Sequence, residues 1–147
     1  MKATMTSIDR FMPAWDVRER HDVVVHAPAE IVDQVARLLE IESIPLVHAI
    51  FWLRGKLMRA KPVTDPGPKA FVERTRAIGW GALVDTPGFY MAGAVAQPWH
   101  ANVTFTPVPA ASFAEYATPD QVKIVWTLES HANNPPARRI SNAVLAP

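Results

Sequence analysis

The spacing of apolar positions changes character along this chain, from mixed and helical in the first half to strand-like in the second. Residues 16–27 alternate at first and then become continuously apolar at Val23, Val24 and Val25, the pattern of a strand running into a core. Pro28 ends that strand and suits the first turn of a helix, in which Ile31, Val35 and Leu38 or Leu39 recur at helical spacing and Glu30 favours the dipole. This helix is expected to run to about Ile41. A second helix is expected from Pro45 to Met58, with Leu46, Ile50, Leu53 and Leu57 on one face and Arg54, Lys56 and Arg59 collected at its C-terminal end. A proline- and glycine-rich loop follows over residues 61–69, and residues 71–78 offer one or two helical turns.

From Gly79 the period becomes that of strands. Residues 80–86, the turn Pro87-Gly88 and residues 89–96 read as a hairpin, because Pro fixes φ at one turn position and Gly supplies positive φ at the next. Residues 103–106 suggest a short strand and residues 109–116 a short helix or exposed loop. Residues 121–131 give the clearest alternation, with Val122, Ile124, Trp126 and Leu128 on one face and Lys123, Val125, Thr127 and Glu129 on the other. After a turn at Asn133-Asn134-Pro135-Pro136, residues 138–145 suggest a last strand.

Length and composition narrow the classes. A chain of 147 residues suits one domain, able to bury roughly 70% of the surface that its unfolded form exposes. Its 15 Lys+Arg and 14 Asp+Glu give a formal charge of +1, and the scattered basic residues argue against nucleic acid as a partner. There is no cysteine, which excludes disulfides, thiolate nucleophiles and zinc–thiolate sites. Nothing in residues 1–11 resembles a signal-peptide core, and the longest apolar stretch, residues 44–53, falls far short of the ~20 residues that span a bilayer. A cytoplasmic location is the default expectation, without a transmembrane segment.

The order strand, two helices, then antiparallel strands, together with Val25-His26-Ala27-Pro28-Ala29-Glu30-Ile31-Val32, the Pro87-Gly88 hairpin, Gly93-Ala94-Val95-Ala96-Gln97-Pro98-Trp99 and the strand Lys123-Ile124-Val125-Trp126-Thr127-Leu128, resembles the START-like superfamily, also called SRPBCC, with its polyketide cyclase/dehydratase and lipid-transport group. The resemblance covers about residues 16–145, leaving residues 1–14 as an N-terminal extension of a single domain. It implies an α+β, helix-grip-like fold: a curved antiparallel sheet of about six or seven strands packed on two helices, enclosing an apolar cavity. The family's grip is completed by a long C-terminal helix, and this chain stops at residues 143–147, where that helix would begin. The expectation is therefore a grip with its C-terminal helix missing or truncated, and a concave face on which Trp126 and Leu128 stand uncovered. Such a face would be covered by forming a homodimer, or by residues 1–14 through Ile8, Phe11 and Met12, with Trp15 beside them.

Candidate chemistry is sparse. The five histidines, His21, His26, His48, His100 and His131, show no i, i+2 or i, i+4 pairing, so no metal site is expected. Glu129 and His131 share one strand face, as a general base and acid would, but by parity the opposite pair, Trp126 and Leu128, takes the interior. Serines lack a nucleophile-elbow context and the glycines form no phosphate-cradling loop. Arg54 and Arg59 could meet an anionic head group, although solvated surface charge is the commoner role. The aromatic set Trp52, Trp80, Tyr90, Trp99 and Trp126 is the candidate ligand-binding lining, placed between the sheet and the second helix. The primary functional expectation is binding of a small hydrophobic molecule, lipid-like or aromatic, without a cofactor or catalytic residue. The alternatives are a cyclase- or dehydratase-like enzyme using Glu129 or His131, and a diverged or truncated interaction protein.

Overall fold

The computed structural model describes residues 7–40, 44–61 and 67–132; the predicted turn at 133–136 and last strand at 138–145 lie outside them. Among the described residues the fold is α+β, with four helices and one open three-stranded antiparallel sheet. The helices are α1 (Ser7–Phe11), α2 (Ala29–Leu38), α3 (Pro45–Leu57) and α4 (Phe71–Ala77), and the strands are β1 (Gly81–Thr86), β2 (Phe89–Ala96) and β3 (Val122–Glu129), in spatial order β1-β2-β3. None of the helices is long and apolar enough to cross a membrane.

The hairpin forms where turn chemistry places it. Pro87 precedes Gly88 at φ 75°, a backbone state that a side chain disfavours, and Thr86 pairs directly with Phe89 across the turn. Strand β2 pairs on both sides and has no polar residue from Met91 to Ala96, which is why it can be buried on both faces. Alternation on β2 and β3 then sorts two cores. On one face Met91, Val95 and Val125 pack with Leu83, Val108, Phe113 and the α1 residues Ile8 and Phe11, followed by Met12. On the other face Tyr90, Ala92, Trp126 and Leu128 pack with Val72 and Phe71 of α4, Ala36 of α2, and Trp80.

Several expectations are corrected here. Residues 16–27 form no strand, and Val23 and Val24 are exposed: β propensity alone cannot make a ladder without a partner strand, and none of the three strands described pairs with this segment. The expected pair of sheet-packing helices, α2 and α3, is replaced: α2 and α4 lie on one face and α1 on the other, while α3 buries no residue. Residues 103–106 contribute a single bridge, Val95 to Thr106, in place of a strand. The face carrying Trp126 and Leu128 is covered by α4 and α2, and residues from the N-terminal extension cover the opposite face. The expectation of an uncovered face, or of residues 1–14 lying across Trp126 and Leu128, fails because strand parity separates two faces without saying which segment reaches which.

Candidate functional site

Three of the five aromatic residues singled out by sequence come together. Tyr90 and Trp126 lie with ring centroids 5.3 Å apart, Trp80 and Trp126 6.3 Å apart, and Phe71 completes the group 4.8 Å from Trp126. Trp80 also meets Phe105 at 5.0 Å. These tilted and edge-on contacts are those of a packed aromatic core. Trp52 and Trp99 stand apart from it, 57% and 53% exposed, the first beneath Lys56 Nζ at 4.6 Å and the second beside His100.

Around Tyr90 the structure assembles a polar clamp that sequence inspection missed. Asp85 on β1 accepts from Arg37 of α2 at 2.8 Å and from Arg76 of α4 at 2.6 Å. Arg37 also donates to Asp33 at 3.0 Å and to the Thr86 carbonyl at 2.8 Å, while Arg76 donates to the Tyr90 hydroxyl at 3.2 Å. Both guanidinium carbons stand 5.4 Å from the centroid of the fully buried Tyr90 ring, so two cations share one aromatic residue and one carboxylate. The Arg37 hydrogen bond, seconded by Arg76, holds the Asp85 carboxyl below its ordinary range. The clamp fastens the tip of the hairpin to both covering helices. The i, i+4 pair Asp33–Arg37 was the one part visible in sequence.

A partly open pocket of about 240 Å³ lies on the α1 side of the sheet. Its apolar lining comes from Met12, Ala14, Val95, Ala114 and Ala117, and its polar lining from Lys123, Glu115, Tyr116, Thr118 and Gln121. Lys123 Nζ donates to the carbonyls of Phe113 and Ala114 at 3.1 Å and of Tyr116 at 3.2 Å, and it sits 5.4 Å from the Phe113 ring centroid. One ammonium group therefore pins the turn that forms a pocket wall. Burial pushes its pKa down, since desolvation disfavours the charged form. None of the five predicted aromatics lines this pocket. The signal available in sequence was Lys123 itself, a charge on the strand face that it shares with Val125, Thr127 and Glu129.

Glu129 and His131 do meet, with Oε2 and Nε2 3.0 Å apart, but His131 is exposed and neither residue lines the pocket. Arg54 donates to the carbonyls of Pro98 at 3.0 Å and His100 at 3.3 Å, tying α3 to the loop that carries Trp99. Among the described residues no group of three or more His, Cys, Asp or Glu could hold a metal ion. Comparison with protein-family models, with curated proteins and with solved structures finds no match for this chain.

Proposed function

We propose that this protein binds a small, mostly apolar ligand, with the pocket beside Lys123 as its site. The observation that carries the reading is an apolar recess of about 240 Å³ with a fixed cation at its wall. Ligand pockets usually hold roughly 300–1,000 Å³, so this volume suits a single ring or a short chain rather than a whole lipid. Because the protons of Lys123 are directed at three carbonyls, its contribution to a ligand is positive potential rather than a free donor. An aromatic or short aliphatic carboxylic acid matches that combination when its carboxylate lies beside Lys123 and away from Glu115, which also lines the recess.

Titration of the full chain with benzoate and hexanoate, followed by thermal midpoint and by amide shifts at residues 114–118, tests the proposal. Binding raises the midpoint as ligand concentration passes its dissociation constant. Ala114→Trp fills the recess, so it should abolish the shifts while the variant stays folded. A titration in which neither acid moves the amides of that turn, or in which Ala114→Trp binds as well as the parent, overturns the assignment.

A further inference from the structure

Helix α3 is apolar along nearly its whole length and yet buries no residue. Its less exposed positions are Val47, Arg54 and Gly55, with the C-cap Met58, and Arg54 is the anchor to the loop at residues 98–101. The row Leu46, Ile50, Leu53 and Leu57 lies about a quarter turn round the helix from Val47 and Arg54, each residue more than half exposed, with Phe51 and Trp52 exposed as well. At about 1.5 Å per residue this ridge is about 17 Å long, too large an apolar surface to be left to water. From Ile44 to Lys61 the chain carries four cations, Arg54, Lys56, Arg59 and Lys61, and no acidic residue.

The geometry points to α3 as a docking helix for an anionic phospholipid surface, lying in the plane of the interface with its leucine row toward the acyl chains. The charge decides the occupant. The four cations lie at and just beyond the C-terminal end of the helix, beside this ridge, and no acid within the segment offsets them. Anionic head groups supply the missing sign. Indole rings prefer the head-group level, and two exposed ones flank this helix: Trp52, beneath Lys56, and Trp99 on the loop that Arg54 holds against it. The site is distinct from the pocket beside Lys123, so either reading can fail without the other.

The test is flotation of the full chain with vesicles of phosphatidylcholine alone and of phosphatidylcholine mixed with phosphatidylserine, at low and high salt. The expected result is flotation with the mixed vesicles, lost in high salt, with a blue shift of tryptophan emission that Trp52→Phe largely removes. Lys56→Glu and Lys61→Glu should each weaken binding by fivefold or more, since one basic residue near such a surface is worth about fivefold. Ile50→Glu and Leu57→Glu, both at exposed positions, should abolish binding with unchanged circular dichroism and thermal midpoint. Absence of flotation, equal binding to both vesicle types, or a dimer in light scattering that Leu57→Glu dissociates would each overturn the proposal, the last in favour of a second copy as the occupant.

Discussion

Replacing Gly93 with alanine probes the packing that shapes both the sheet and the pocket wall. A methyl group on Gly93 would stand 2.5 and 2.6 Å from Phe113 Cε2 and Cζ and 2.9 Å from Leu83 Cδ1. Carbon pairs rest at about 3.5–4.0 Å, so the ring must retreat by about 1 Å. It has little room to do so: Phe113 is fully buried, and its carbonyl is tied to Lys123 Nζ at 3.1 Å. Overpacking of this kind costs about 1–3 kcal/mol, and a site with two immobile neighbours belongs at the upper end. Removing glycine from the unfolded chain returns about 0.4–1 kcal/mol. The net loss is then about 2 kcal/mol, a fall in thermal midpoint of about 4–8 °C for a chain of this size. Gly55 is the control, because a methyl there meets nothing within 4 Å, and Gly55→Ala in the interior of α3 should stabilise by about 0.5–1 kcal/mol. Urea unfolding followed by tryptophan fluorescence measures both. Adding Phe113→Leu to Gly93→Ala should recover part of the loss, with a coupling of about 1 kcal/mol. A Gly93→Ala protein as stable as the parent, or a double variant whose losses simply add, would refute the contact.

Two further predictions follow from the charged groups. Asp85→Asn removes a carboxylate whose pKa is depressed, so the parent's advantage should be present above the ordinary carboxylate pKa of 3.8 and vanish as pH falls through the lower folded value. Asp85 is partly exposed, so the advantage should be about 1 kcal/mol or less, read as the difference in thermal midpoint between pH 7 and acid. Lys123→Met loses three charge-assisted hydrogen bonds and should destabilise by about 2 kcal/mol. Its folded pKa is lowered, so the native state releases the proton first. The parent's stability relative to Lys123→Met should therefore rise with pH in the window between that lowered value and 10.5, which paired midpoints across alkaline pH would show.

The hairpin was legible because its information is local. Pro87-Gly88 dictates the turn, the apolar run ending in Gly93-Ala94-Val95-Ala96 dictates a strand buried on both faces, and the alternation of β3 divides Trp126 and Leu128 from Val125 and Thr127. The bounds of α3 were legible for the same reason, from Pro45 and the basic C-terminal turn. Residues 16–27 show the limit of such signals: their β-branched run is real, but a ladder needs a second strand and only the three-dimensional arrangement decides whether one is adjacent. The clamp on Tyr90 joins residues 37, 76, 85 and 90 from four elements, and the pocket joins Met12 to Lys123 across more than half the chain. No spacing rule links such positions. Sequence determined which side chains each element carries and on which face, since those follow from local periodicity. Tertiary structure alone decided which faces meet, because the burial that fixes those pairings is a property of contacts between segments that the chain itself keeps far apart.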